Sequence, residues 1–289
     1  MLKALLKALR PRQWTKNAFV FAALVFDGKL FILDDFLRTL AGFGLFCLVS
    51  SAVYLINDIL DIEADRQHPA KRNRPIASGK VPLPLAAAAA VVLALGSMAA
   101  GYVLAWQFAL TLLVYVALML AYSKWLKHAL ILDVLVIAAG FVLRVHAGTT
   151  LVTVERFSPW LYVLMTLLAL YLGFGKRRAE LYLLEAASGG HRKVLDGYTI
   201  PLLDQFITIV SGTTLVVYSL YTFFRPEAPA NHTLMLTIPF VAYAIFRYLY
   251  LVQVRNIGGE PEEILLSDRP FQISILLWGL TVLTVFYLA

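Results

Sequence analysis

Three aspartates at helical spacing, followed by a dense block of cations, are the residues of this sequence best suited to chemistry. Residues 54–80 read YLINDILDIEADRQHPAKRNRPIASGK, with Asp58, Asp61 and Asp65 at the end of a long apolar run. At about 100° per residue, a continuous helix would place the three carboxylates within a sector of roughly 60°. Like charges on one helix face repel unless a cation lies among them. The spacing therefore indicates a cation site, with Asn57 at its border.

The types of ligand favour magnesium bound together with a phosphorylated substrate. Carboxylate oxygens without a cysteine or a paired histidine suit Mg²⁺ better than a transition metal. Mg²⁺ keeps several waters and usually binds one or two carboxylates plus substrate phosphates. The cations that follow, Arg72 and Arg74 among them, can hold further phosphate oxygens. The alternative interpretation is a solvated helix end whose acids pair with nearby lysines and arginines.

The elements that must position these residues are membrane helices. The chain has 289 residues, of which 60% are hydrophobic and only 15% charged, and its mean hydropathy is +0.76. Soluble domains have about 45–50% apolar and about 25% charged residues, so we predict an all-α polytopic membrane protein, with one domain over 1–289. A spanning helix needs about 20 apolar residues. The nine predicted spans lie near residues 17–33, 37–57, 82–103, 105–123, 129–150, 158–175, 200–223, 232–252 and 269–288.

Lysine and arginine are distributed unevenly between the two sides of these spans. With the N-terminus inside, nineteen lie in cytoplasmic segments and four on the opposite side. This bias predicts a cytoplasmic N-terminus and a plasma-membrane protein whose active site faces the cytoplasm. The positive face suits membrane lipid headgroups and anionic cytosolic substrates, and no nucleic-acid partner is expected. The basic segment 1–16 suits a short helix in the membrane interface, or simply a positive-inside flank.

Two of the predicted spans are expected to continue as helix beyond the membrane. Residues 57–65 follow the second span and residues 176–185 follow the sixth, and neither stretch contains proline or glycine. Both extensions should therefore carry charged side chains on regular helical faces.

The aspartate motif resembles a known signature. NDILDIEAD fits the N-D-x-x-D-x-x-x-D pattern of the UbiA-type intramembrane prenyltransferase superfamily, and NRPIASGK is similar to the segment that follows it. The resemblance covers essentially the whole chain. It implies nine transmembrane helices around a central cavity, with Asp58, Asp61 and Asp65 as catalytic ligands that hold Mg²⁺ on a substrate diphosphate.

The chain departs from the best-known members of this superfamily near the sixth span. Members that prenylate aromatic acids carry a second acidic motif, D-x-x-x-D, where this chain has GKRRAELYLLEAASGGHRK. The cations Lys176, Arg177 and Arg192 favour a more negatively charged substrate, and Glu180 is a further candidate contact. The alternative is a positive-inside loop in which Glu180 pairs with Lys176 four residues earlier.

Further candidate substrate contacts lie near the ends of other predicted spans. In AYSKWLKH, family members have tyrosine and lysine four apart, whereas Lys127 stands five after Tyr122, so both roles are open. Asp133 suits a helix cap, a partner for Lys127 or an acceptor for a substrate hydroxyl, and Lys16 is a candidate from the basic N-terminal segment. Three ionisable residues in or near apolar spans have roles that the sequence leaves open: Arg144, His146 and Arg247.

Four segments together resemble one branch of the superfamily, the decaprenyl-phosphate phosphoribosyltransferases (5-phosphoribose synthases): RPRQWTKN, YSKWLKH, LDVLVIAAGFVLRVHAG and GKRRAEL. The resemblance implies transfer of 5-phosphoribose from phosphoribosyl pyrophosphate to a polyprenyl phosphate, with release of pyrophosphate. The alternatives are a prenyltransferase acting on an aromatic acceptor and a non-enzymatic transporter. Because charge gathers at one face rather than along a midplane path, the transporter is disfavoured. A homo-oligomer is compatible with all of these interpretations.

Overall fold

The computed structural model describes residues 1–68, 71–153, 158–185, 193–224, 232–257 and 261–287. All regular elements in these ranges are helices, which confirms the predicted fold class. The α-helices are α1 (Leu2–Ala8), α2 (Ala22–Phe26), α3 (Leu33–Leu60), α4 (Ile62–Gln67), α5 (Leu83–Leu104), α6 (Trp106–Lys124), α7 (Leu132–Thr149), α8 (Pro159–Glu185), α9 (Ile200–Phe224), α10 (Ile238–Gln253), α11 (Pro261–Ser267) and α12 (Arg269–Tyr287). Five 3₁₀ helices join them: Pro11–Phe21, Lys71–Asn73, Leu126–His128, Lys193–Gly197 and Thr233–Thr237.

Within these ranges, eight helices are long and apolar enough to cross a membrane. They are α3, α5, α6, α7, α8, α9, α12, and α10 together with the 3₁₀ helix before it, and they correspond to the second to ninth predicted spans. The first predicted span, 17–33, is instead divided between the 3₁₀ helix Pro11–Phe21 and the short α2. A left-handed turn at Gly28, with φ of +71°, follows α2 and ends the helical run. The count of nine spans and the cytoplasmic N-terminus stay predictions.

The chain forms two compact units. The first unit comprises Met1–Lys127 and Gly140–Glu155, and the second comprises His128–Ala139 and Arg156–Ala289. The boundary falls within α7, so each unit contains one end of that helix. The single membrane domain over 1–289 stays a prediction.

In the first unit, α3 packs along α5 through small side chains. Ala86 and Ala90 of the alanine-rich stretch are buried in one cluster with Leu55 and Ile76. Small residues allow two helix backbones to approach closely. Because Leu55 lies one turn before Asp58, this cluster supports the end of α3 that carries the aspartates.

The second unit has its core among α8, α9 and α10. Tyr171, Ile207 and Tyr248 are buried together there. A Cβ atom at Gly173 would lie 2.5 Å from Val134 Cγ1, so only glycine allows α8 to pass this closely to the start of α7. This close approach brings the first turn of α7 next to the charged end of α8.

The prediction that the second span continues as one helix through Asp65 is wrong. Helix α3 ends at Leu60, Asp61 has φ of −95° and ψ of 10°, and α4 begins at Ile62. The break leaves Asp58 on α3 and Asp65 on α4, with Asp61 between them, while the Asp61 N–H and the Asp65 N–H still donate to Asn57 O and Asp61 O. The extension of the sixth span is confirmed, since α8 runs to Glu185.

Candidate active site

Two of the three aspartates are buried and share one arginine. Arg74 Nη1 lies 2.6 Å from Asp65 Oδ2 and 3.2 Å from Asp58 Oδ1. Both carboxylates are almost fully removed from solvent, with 2% of the Asp58 side chain exposed. A buried carboxylate is stable only when it is paired, so Arg74 fixes the two side chains relative to one another.

The third aspartate has a different environment. The Asp61 side chain is 40% exposed, and its Oδ1 lies 2.8 Å from Lys127 Nζ. Lys127, which stands one position later than the family pattern requires, therefore still reaches the aspartate motif. Glu63 points away from this group of acids and pairs with Arg66, and both side chains are well exposed.

Arg10 also belongs to this site, and sequence reasoning missed it. Its guanidinium donates through Nη2 to Asp58 Oδ1, the oxygen that also accepts from Arg74, and it stacks over the Tyr54 ring at 4.9 Å. In the sequence, Arg10 is one of several basic residues of segment 1–16, and nothing distinguishes it from the others as a site residue. The Arg-Pro pair at 10–11 is the one local signal of a special backbone conformation there.

The backbone of Arg10 adopts the left-handed conformation, with φ of 52° and ψ of 59°. This conformation costs a non-glycine residue about 1–2 kcal/mol, so neighbouring contacts must maintain it. The Ser51 hydroxyl donates to Leu9 O at 2.8 Å and accepts from Trp14 Nε1 at 3.0 Å. These bonds fasten the chain on both sides of Arg10 to α3, so Arg10 is a fixed part of the site.

The remaining candidates of the first unit lie around these aspartates or on the surface. Asn57 accepts a hydrogen bond from the Ser123 hydroxyl on α6. The Arg72 side chain is exposed and makes no hydrogen bond or ion pair with the described residues. Lys16 and Tyr122 are half-buried, and both have polar or ring interactions. The substrate contacts assigned to these residues stay predictions.

The charged end of α8 forms a closed network in the second unit. Asp133 is fully buried, and its Oδ2 accepts from Arg177 Nε at 2.6 Å while its Oδ1 accepts from the Tyr198 hydroxyl at 2.9 Å. A second nitrogen of Arg177 donates to Glu180. Burial, followed by the hydrogen bond to Asp133, raises the pKa of Tyr198 above its usual range. Tyr198 is the second functional residue that the sequence did not reveal.

Tyr198 also supports a strained turn. The Ile131 N–H donates to the Tyr198 hydroxyl at 2.9 Å, and Ile131 has φ of +68°, an unusual value for a β-branched residue. The same hydroxyl therefore joins this turn to Asp133, at the start of α7. Of the interpretations of Asp133, pairing with Lys127 is not the arrangement found, because Lys127 Nζ binds Asp61 and the two oxygens of Asp133 accept from Arg177 and Tyr198.

The structure does not form the ion pair between Glu180 and Lys176 that the sequence offered as an alternative. Glu180 binds Arg177, three residues earlier, whereas Lys176 is half-buried and has no hydrogen bond or ion pair among the described residues. Arg192 lies outside the described residues. Direct phosphate contacts by Arg177 and Arg192 stay predictions.

Comparisons with known proteins show the family to which the chain belongs. Residues 17–262 match the UbiA prenyltransferase family. The chain belongs to this family. It is 39% identical to a decaprenyl-phosphate phosphoribosyltransferase of Mycobacterium tuberculosis, over 98% of this chain and 94% of the relative. It is 40% identical to the protein of that name in Mycolicibacterium smegmatis, over 96% and 91% of the two chains.

Solved structures place this UbiA family member in the same fold. A UbiA homolog from Archaeoglobus fulgidus bound to DMAPP and Mg²⁺ superimposes with a TM-score of 0.72 at 18% identity, over 99% of both chains. An apo UbiA homolog from Aeropyrum pernix gives a TM-score of 0.59 at 17% identity, over 90% of this chain and 97% of that one. At these identities the likeness establishes the fold alone.

The aspartates of this UbiA protein fit a divalent metal that arrives with substrate oxygens. Among the described residues, no three acidic, histidine or cysteine side chains cluster tightly enough to hold a metal ion alone. Each carboxylate, however, uses one oxygen on a cation, namely Oδ1 of Asp58, Oδ1 of Asp61 and Oδ2 of Asp65. The second oxygen of each remains for a ligand. One or two carboxylates completed by phosphates is the donor set that Mg²⁺ prefers.

The intramembrane cations whose roles the sequence left open have internal partners. Arg144 is buried, donates to Asn17 at 2.8 Å and to Tyr115 at 3.0 Å, and stacks over Phe46. From the sequence, Arg144 could hold a phosphate or pair with a carboxylate such as Glu155, which lies outside the described residues. These contacts join α7 to α3 and α6, which gives Arg144 a structural role.

Arg247 forms an ion pair within the second unit. Arg247 binds Asp268 through two nitrogens, at 2.8 and 3.1 Å, and Asp268 also accepts from the Phe271 N–H at the start of α12. His146 is exposed on α7.

Arg178, one of the cations of the GKRRAEL segment but not a predicted site residue, holds three helices of the second unit together. Its Nε donates to Asp204 on α9 at 2.7 Å, and its Nη1 donates to Val252 O and Asn256 Oδ1, both at 2.9 Å. The carbonyls at the C-terminus of α10 lack helical partners, and this guanidinium satisfies one of them. The adjacent arginines of α8 thus have separate partners.

Proposed function

We propose that this UbiA family protein transfers 5-phosphoribose from phosphoribosyl pyrophosphate to a polyprenyl phosphate, releasing pyrophosphate in a Mg²⁺-dependent reaction. The observation that carries the proposal is the identity of about 40%, over nearly the whole chain, with relatives named decaprenyl-phosphate phosphoribosyltransferase. The proposal places the reaction at the cytoplasmic face of the plasma membrane, where lysine and arginine are concentrated.

We assign binding of the substrate diphosphate to the first unit. Asp58 and Asp65 are the buried carboxylates that would hold the metal, and the more exposed Asp61 would complete its surroundings. When bound, the metal supplies neutralisation of the charge that develops on the leaving pyrophosphate. Arg72, which has no partner among the described residues, is free to bind an outer phosphate oxygen.

Bond exchange occurs at C1 of the ribose. The C1–O bond to pyrophosphate breaks while a new C1–O bond forms to the lipid phosphate, through an oxocarbenium-like transition state. A phosphate monoester has a second pKa of about 6, so the lipid phosphate attacks in its ionised form. The protein therefore needs cations that orient phosphates more than it needs a general base.

The second unit is assigned contacts to the sugar and its phosphate. Lys176 is a half-buried cation with no counter-charge among the described residues, which suits a phosphate contact. Glu180 is partly exposed, and one oxygen is held by Arg177, so its other oxygen can accept a hydrogen bond from a ribose hydroxyl. Because Asp133 is closed within its network, we assign it the positioning of Arg177.

A two-substrate assay tests the function. Purified protein in lipid nanodiscs receives labelled phosphoribosyl pyrophosphate with decaprenyl phosphate, or labelled prenyl diphosphate with 4-hydroxybenzoate. We expect a labelled lipid only from the first pair, and its loss with EDTA. Product from the second pair alone would establish the aromatic prenyltransferase instead, and full activity in EDTA would rule out the metal. Asp58→Asn serves as the inactive control, and Arg66→Ala as the matched surface control.

A further inference from the structure

Every aspartate of the first-unit site is already paired with a cation of the chain. Asp58 is bound by Arg10 and Arg74, Asp65 by Arg74, and Asp61 by Lys127. Three carboxylates and three cations leave this group with no net charge. A bare divalent ion would therefore add two uncompensated positive charges at a partly buried position, which is unfavourable.

We propose that these cations, with Arg10 as a previously unassigned member, make the site take up a divalent metal together with a diphosphate rather than as a bare ion. The inference rests on the proposed function for the identity of the diphosphate. A metal that arrives with a diphosphate brings net negative charge. The cations can then bind phosphate oxygens while the carboxylates bind the metal.

Arg10 is the member best suited to this exchange. Of its five N–H donors, one is used on Asp58, and 28% of its side chain is exposed, so other donors are available to a phosphate. Its backbone is held to α3 through the Ser51 contacts of Leu9 and Trp14. Arg10 can therefore redirect its guanidinium without moving the chain, and it keeps its charge at any accessible pH.

The geometry also explains why the carboxylates stay competent to bind the metal. Arg10 and Arg74 both donate to Oδ1 of Asp58, so the two guanidiniums leave Oδ2 to another ligand. Arg74 likewise takes only Oδ2 of Asp65. The cations thus neutralise and orient the carboxylates at the same time, and Arg10 is a positioning residue for Asp58.

Equilibrium dialysis tests the proposal without measuring turnover. Full-length protein in nanodiscs is dialysed against radioactive Mn²⁺, with and without inorganic pyrophosphate carrying a second label. The excess of each label on the protein side gives the bound amounts, and the free concentrations are those that remain after Mn²⁺ and pyrophosphate have formed their complex in solution. We expect pyrophosphate to raise Mn²⁺ affinity about tenfold or more, and Mn²⁺ to raise pyrophosphate affinity by the same factor.

Two substitutions of Arg10 separate charge from structure. Arg10→Ala should bind bare Mn²⁺ severalfold more tightly than wild type and lose most of the coupling to pyrophosphate. Arg10→Lys keeps the charge and should retain the low affinity for bare Mn²⁺. Lys127→Ala should act like Arg10→Ala but more weakly, because Asp61 is 40% exposed. Arg66→Ala, which removes an exposed cation that binds Glu63 and the Ala77 carbonyl, is the matched control and should change neither affinity.

The outcomes distinguish this inference from the proposed function. Equal Mn²⁺ affinity with and without pyrophosphate in wild type, or an unchanged Arg10→Ala protein, overturns the inference even if phosphoribosyl transfer occurs. Strong coupling that depends on Arg10, in a protein that does not transfer phosphoribose, would uphold the inference and refute the proposed substrate. If Arg10→Ala fails to fold, shown by its thermal unfolding, the Arg10→Lys and Lys127→Ala proteins decide.

Discussion

The charged groups of the two units differ in how far they are closed to solvent. Around Asp58, Arg10 and Arg74 are each 28% exposed, so unused donors face outward. Around Asp133, the carboxylate is fully buried and only 3% of the Arg177 side chain is exposed. Similar ion pairs therefore suit different tasks. A pair with one open member can exchange its partner for a ligand, whereas a closed pair fixes the backbone that carries other contacts.

The largest effect is expected where the closed pair is broken. Asp133→Ala removes the fully buried carboxylate that lies 2.6 Å from Arg177 Nε, and it leaves the Arg177 guanidinium buried without this partner. Removing one member of a buried pair costs about 3–5 kcal/mol, so the protein should unfold at markedly lower temperature or denaturant concentration. Thermal unfolding in nanodiscs measures this. Stability equal to wild type would mean that the network is less closed than its geometry indicates.

A large effect on activity, with little effect on folding, is expected at the open site. Asp58→Asn keeps the size of the side chain but removes the charge that binds both arginines and that, in the proposed function, would bind the metal. Loss of a metal ligand should lower kcat/KM by more than roughly 100-fold, since even outer partners of a ligand contribute about 10–100-fold. Transfer assays together with thermal unfolding check it. If Asp58→Asn lowered the unfolding temperature as much as Asp133→Ala does, the two sites would not differ in the way proposed here.

An intermediate effect is expected at Glu180, the partly open member of the closed network. In Glu180→Gln, Arg177 can only donate, so it should keep the amide oxygen and turn the NH₂ group outward. The carboxylate oxygen that would accept a hydrogen bond from a sugar hydroxyl is thereby replaced by an NH₂ group, which can only donate. We expect about a tenfold or greater rise in KM for phosphoribosyl pyrophosphate, with unchanged pyrophosphate binding. Glu63→Gln, an exposed acid on α4, is the control, and equal behaviour of the two variants would contradict the assignment.

The smallest effect concerns a purely structural pair. The hydrogen bond from Arg247 lowers the pKa of Asp268 below its ordinary value. A carboxyl with a lowered folded-state pKa stabilises the protein above its unfolded pKa, near 4, and loses this contribution as pH falls through the lower folded value. Asp268→Asn should therefore be slightly less stable at pH 7 and show a shallower loss on acidification. Unfolding midpoints between pH 7 and pH 3 measure the difference.

Features of local composition could be predicted because they depend on neighbours in the chain. The apolar runs of α3, α5 to α10 and α12 are long enough to satisfy their own backbone hydrogen bonds in lipid, so their existence follows from hydropathy. The aspartate spacing and the substitution of cations for acids at 176–180 are equally local. These features sufficed to predict the helical class, the family resemblance and most of the candidate site.

The structure decided which charges meet. Arg10 reaches Asp58 across 48 residues, Lys127 reaches Asp61 across 66, and Arg177 reaches Asp133 across 44. Many lysines and arginines in the sequence could neutralise a given carboxylate, because Coulomb attraction does not depend on order along the chain.

Packing removes that freedom, because side chains meet only where backbones are held in contact. The Ser51 contacts fix the left-handed turn at Arg10, and the glycine at 173 lets α8 approach α7. The sequence alone thus determined the membrane helices and the kinds of chemistry available. Only the tertiary structure decided which cations stay open to a ligand and which are closed, since burial depends on every element packed around a residue.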